Sequence, residues 1–165
     1  MSVEAKQAKQ VIIDEIKAKL DGAQSAVVID YMGTTVAQAD AMRKKLREAN
    51  VDYTVYKNTL IKRAIEGTEF APLADVLDGP SAIAISKEDA TAPARVLKEV
   101  MDEFKKMEFK AGVVEGNFFD QNGIKEIASI PSRDVLIAKF MGSIQSPVSK
   151  AVRTFQAIAD AKAEA

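Results

Sequence analysis

Up to about residue 130, apolar positions alternate between helical and strand periods. Val11, Ile12, Ile16 and Leu20 recur at helical spacing among lysines, so Val3 to Leu20 reads as an amphipathic helix that Asp21-Gly22 stops. Ser25 to Asp30 (SAVVID) is an almost unbroken apolar run, as expected of a strand covered on both faces. Thr34 or Thr35 can cap a helix reaching about Ala49, and Val51 to Tyr56 (VDYTVY) alternates as a second strand. Asn58 can cap a helix from Thr59 to about Ile65, and two glycines and two prolines make residues 66–80 a region of turns. Ser81 to Ser86 is a third strand, Ala92 to about Lys106 a helix, and Phe109 to Val114 a fourth strand. Glu115-Gly116-Asn117 turns the chain into a short fifth strand at Phe118-Phe119, before a helix over about Asn122 to Ala128. This succession predicts an α/β fold, a mixed sheet flanked by helices, with the strand order left open.

After Ile130 the pattern changes. Ser132 can cap a helix from Arg133 to Met141 that Gly142 ends, and Ser146-Pro147 starts a last helix running to about Lys162. The expected organisation is a compact domain over 1–130, a short helix and hinge over 131–146, and a protruding C-terminal helix over 147–165.

Composition narrows the chemistry. At 47% apolar and 28% charged residues the chain is expected to fold as a soluble protein. It carries neither a bilayer-spanning apolar run nor the basic-then-apolar start of a signal peptide, so a cytoplasmic location away from membranes is expected. With no Cys and no His, thiolate or imidazole metal sites, cysteine nucleophiles and Ser-His-Asp triads are excluded. Neither a P-loop nor a GxGxxG pattern occurs, so no cofactor is expected. The carboxylates of Glu88-Asp89 and Asp102-Glu103 read as solvated charges rather than acid-base groups.

Net charge is −1, but its distribution is uneven: residues 43–63 hold Arg43, Lys44, Lys45, Arg47, Lys57, Lys62 and Arg63 against Glu48 and Asp52, a local +5. Arg43, Lys44 and Arg47 follow one helix face, and Lys57 and Asn58 lie where a strand meets a helix N-terminus. Such a surface suits RNA phosphates, with Asn58, Tyr53 and Tyr56 available for sugars or bases; the competing reading is a solvated face with no partner. Gly33, Thr34 and Thr35 precede a helix N-terminus and could receive a phosphate through backbone N–H groups, or simply make a strand-to-helix turn. Val148, Ala151, Val152, Phe155, Ile158 and Ala159 gather on one side of the last helix. Burying Val148, Val152, Phe155 and Ile158 is worth roughly 6 to 12 kcal/mol before association costs. The face can pack on its own domain or fit a partner's groove.

Taken in order, the loop DYMGTTVAQ, the segment LREANVDYTVYKNTLIKRA, the strand entry DGPSAIAIS, the turn AGVVEG and IPSRDVLIAKFMGSIQSPV resemble the bacterial large-subunit ribosomal stalk-base family, number ten among large-subunit proteins. The resemblance runs over nearly the whole chain. It implies an α/β domain docked on a large-subunit rRNA junction beside ribosomal protein number eleven. It also implies a C-terminal helix carrying dimers of the acidic stalk protein, which recruit translational GTPase factors, and repression of the protein's own mRNA. Carried onto this sequence, the RNA-facing positions are Gly33, Thr34 and Thr35, with Lys57, Asn58, Thr59, Lys62 and Arg63, and Arg43, Lys44 and Arg47 nearby. The stalk dimers would meet Val148, Val152, Phe155 and Ile158. Met32 stands where members often carry Arg, which removes the cation expected in that loop. An adaptor that binds only proteins is the alternative, and an enzyme of the α/β type a distant third.

Overall fold

A computed structural model describes residues 3–104 and 106–163. The chain divides into two compact units, 1–130 and 131–165.

The first unit contains α1 (Val3–Leu20), β1 (Ser25–Asp30), α2 (Val36–Glu48), β2 (Val51–Thr54) and α3 (Asn58–Ile65). A 3-10 helix (Ala71–Val76), β3 (Ala82–Ser86), α4 (Ala92–Phe104), β4 (Glu108–Val114), β5 (Asn117–Asp120) and α5 (Gln121–Ile127) complete it. The sheet order is β2-β3-β1-β4-β5 and every pairing is antiparallel. The α/β architecture with flanking helices is the one expected, but the sheet is antiparallel throughout rather than mixed in strand direction.

Period-two alternation in the central strand sorts two cores. Ala26 and Val28 face α1, α3 and the 3-10 helix, while Val27 and Ile29 face α2, α4 and α5. All four are fully buried, so SAVVID has no polar face to offer solvent. On α1 the buried stripe is Ile13, Ile16 and Leu20; Val11, expected inside, is 66% exposed. Five residues of helix turn Val11 about 140° away from Ile16, whereas Ile13 lies within the stripe.

Two details of β4 decide the packing. Ile29 pairs with Phe109 but Val28 with Ala111, so Lys110 is the extra residue of a bulge, and Phe109 and Ala111 face opposite cores. At Gly112, opposite Val27, a Cβ would come within 2.6 Å of Ile124 Cδ1 on α5. Glycine there lets α5 seat on the sheet.

The second unit is α6 (Arg133–Ala163), a single 31-residue helix. The stop expected at Gly142 and the hinge before Pro147 are replaced by continuous helix. An interior glycine costs only about 1 kcal/mol relative to Ala, and nothing lies within 4 Å of where a Gly142 Cβ would be. Pro147 withholds one N–H from the carbonyl of Ser143, and the helix runs through it. Among the described residues no helix is long and apolar enough to cross a membrane.

Candidate nucleic-acid interface

Strand β2 is an edge of the sheet, and the basic segments flank it. Arg43 and Arg47 of α2 line one side of an open cleft of about 740 Å³, with Lys19 of α1 and Val51, Asp52 and Tyr53 of β2. The cleft is not uniformly cationic, because Glu15, Asp52 and Glu88 share it. Lys19 spends its charge inside the fold, 2.9 Å from Asp52 and 3.5 Å from Glu15. Burial disfavours that charge, yet hydrogen bonding with Asp52 and Tyr56 holds the ammonium above the usual lysine range. Arg43 Nη1 lies 3.2 Å from Asp40, an exposed pair that solvent screens. Lys45 reaches Glu103 on α4 at 2.6 Å, and that hydrogen bond raises its pKa. Among the described residues no side-chain bond or ion pair engages Lys44, Arg47, Lys57 or Arg63.

The second basic segment lies on α3, which buries Leu60, Ile61, Ala64 and Ile65 and so turns Thr59 and Arg63 outward. Lys57, rather than Asn58, occupies the cap position, and the helix opens without a side-chain cap. Asn58 Nδ2 instead donates to the carbonyl of Gly79 at 2.7 Å, and Lys62 Nζ lies 3.3 Å from Asp78 Oδ1. Sequence reasoning placed both in RNA contact; the fold uses both to tie α3 to the loop before β3. Lys110, at the bulge, donates to the carbonyls of Asp78 and Pro80 at 2.6 and 2.7 Å and to Ser81 Oγ at 3.1 Å. It also lies 3.7 Å from Asp30.

The loop after β1 is closed by its own hydrogen bonds. Met32 N–H donates to Asp30, the Thr34 hydroxyl donates to the Tyr31 carbonyl, and Thr35 forms a capping box with Gln38. Both threonine hydroxyls therefore serve the turn, and Gly33, at φ 80°, sits in the left-handed region that favours glycine. The tyrosines also divide. Burial raises Tyr53 to about 12, against the opposing pull of Arg43, so its phenol stays neutral. The Tyr56 hydroxyl donates to Glu15, with Lys19 Nζ 5.7 Å from its ring centre. Asp89, read as a solvated charge, accepts from Thr91 N–H and hydroxyl and from Arg95.

The sequence pattern described as ribosomal protein L10 matches residues 4–102, and that of the ribosomal protein uL10 C-terminal region matches residues 130–165. A large ribosomal subunit protein uL10 from Clostridioides difficile (strain 630) is 48% identical over 152 residues, 92% of this chain and 90% of that protein. Proteins of the same name from Bacillus cereus (strain B4264) and Bacillus anthracis (strain A0248) are 43% identical over 156 residues, 94% of each chain. The chain belongs to the uL10 family of large-subunit ribosomal proteins.

These uL10 relatives are named as ribosomal proteins rather than enzymes. In this uL10 chain Arg43 and Arg47 come together at one cleft, and Lys57, Asn58 and Thr59 line another of about 400 Å³ with Tyr31, Gly79 and Pro80. Tyr31 and Lys110 were missed by sequence reasoning. Tyr31 carried no periodic signal, and Lys110 acquires its role through the bulge. Within α6, Val152 and Phe155 are 57% and 72% exposed, while the side chains of Val148 and Ile158 lie outside the described residues. Leu136, Ile137, Phe140 and Ile144 are exposed as well, so the apolar character begins well before Pro147.

Proposed function

We propose that this uL10 protein forms the base of the large-subunit stalk, binding rRNA with residues 1–130 and carrying acidic stalk-protein dimers on α6. The carrying observation is that the side chains of Lys44 and Arg47 on α2, of Lys57 at the α3 cap and of Arg63 on α3 have no hydrogen-bond or ion-pair partner among the described residues. Phosphates supply the counter-charge, and four such contacts make affinity fall roughly a hundredfold between 50 and 200 mM salt. Arg43 shares one cleft with Arg47, and Asn58 and Thr59 share another with Lys57; contacts to these, to Lys62 and to the Gly33–Thr35 turn supplement the four. On α6, Val152 and Phe155 offer apolar area that a partner helix can cover, with Val148 and Ile158 completing the same sequence face. Ribosomal protein number eleven is the expected neighbour on the RNA, and repression of the protein's own mRNA follows if that message presents a similar junction.

The test is titration of the purified chain with a large-subunit RNA fragment containing the stalk-base junction, across a salt series, beside an unrelated folded RNA. Salt-sensitive binding that prefers the junction supports the reading. Equal or absent binding by folded protein supplied with its stalk partner favours an adaptor that binds proteins alone.

A further inference from the structure

We infer that the cleft beside Tyr31 and Lys57 receives one unstacked nucleotide of the bound RNA, its base against the Tyr31 ring and its phosphate at the Lys57 ammonium. This rests on the RNA-anchoring reading above and goes beyond it to a specific mode of contact.

Three features of the cleft point to that ligand. First, its walls carry no carboxylate, whereas Glu15, Asp52 and Glu88 stand in the cleft beside α2, and Asp21, Glu66 and Glu69 in a third of about 730 Å³. The nearby acids are already matched, Asp78 by Lys62 and Asp30 by Lys110. A phosphate therefore meets the unpaired Lys57 without an opposing charge on the cleft wall. Secondly, Tyr31, Val55 and Pro80 give the cleft flat and apolar surface, and Val55 stays 43% exposed although it directly follows β2. An RNA base combines a π-face that stacks on such surface with a polar edge, for which the Thr59 hydroxyl is available. At about 400 Å³ the space falls in the range of roughly 300 to 1,000 Å³ typical of small-ligand sites and holds one nucleotide rather than a helix. Thirdly, the wall is fixed in advance. The Asn58 bond to Gly79 and the Lys110 bonds to Asp78, Pro80 and Ser81 hold the 78–81 loop against α3 and β4, which limits the ordering cost of binding.

The experiment uses the full chain and the junction RNA, with each unpaired nucleotide replaced in turn by 2-aminopurine. Fluorescence of one position changes on binding wild-type protein. Tyr31→Leu abolishes that change and weakens the unmodified RNA by roughly tenfold, the scale of a lost base–aromatic stack, whereas Tyr31→Phe keeps both. Binding with no responding position overturns the inference and leaves the RNA-anchoring reading standing; failure to bind the RNA at all overturns both. If Tyr31→Leu does not fold, the 2-aminopurine series with wild-type protein still overturns the inference when no position responds.

Discussion

Lys110 Nζ lies 2.7 Å from the carbonyl oxygen of Pro80, so the bulged residue of β4 fastens the loop that leads into β3. The same ammonium holds the Asp78 carbonyl and Ser81 Oγ, and only 16% of the Lys110 side chain is exposed. Lys110→Met fills the space but leaves these acceptors and Asp30 without their cation. The variant should be less stable by about 2 kcal/mol, read from urea unfolding, with RNA affinity reduced because Asn58 and Lys62 anchor on the same loop.

Gly112→Ala tests the seat of α5. The added methyl meets Ile124 Cδ1 at 2.6 Å and the Ala26 carbonyl oxygen at 3.2 Å, so side chain and strand must both give. A loss of about 1 to 3 kcal/mol in unfolding free energy is expected.

The two cores were legible because a strand buried on both faces must read as SAVVID does, and because α4 repeats Val96, Leu97 and Val100 at helical spacing. The basic segments were legible as composition. Their division of labour was not, since Asn58 and Lys62 acquire their partners from a loop about twenty residues away that no local pattern announces. The Asn58 cap failed because the helix starts one residue earlier, with Lys57 at the cap position and Asn58 already in the first turn, its amide Nδ2 donating to the Gly79 carbonyl. In α6, Gly and Pro signals that often end helices were outweighed by continuous helical hydrogen bonding elsewhere along the segment.

Gly142→Ala follows from that continuity. With open space around the position, alanine removes glycine's backbone cost and should stabilise α6 by about 1 kcal/mol, seen as increased helical circular dichroism of the full chain. If residues 142–147 formed a hinge instead, the substitution would leave the signal unchanged.

Asp89 makes stability depend on pH. Burial opposes its ionisation, but hydrogen bonds from Thr91 and Arg95 outweigh this and lower its pKa below the usual carboxylate value. Because the folded value lies below the unfolded one, near 3.9, its contribution is present above about pH 4 and is lost as pH falls through the folded value. Asp89→Ala should cost about 1 kcal/mol at pH 7, and the gap to wild type in urea midpoint should narrow as pH falls below about 4. A gap that stayed constant would contradict the assignment.

The division of labour between the units is tested most directly by titrating two full-length variants, Lys57→Glu with Arg63→Glu and Phe155→Asp, each with junction RNA and with the acidic stalk protein. The charge-reversed protein should lose at least tenfold in RNA affinity, with a flatter salt dependence, and bind the stalk protein normally, while Phe155→Asp should do the reverse. Loss of both activities in either variant, with the fold intact, would contradict it.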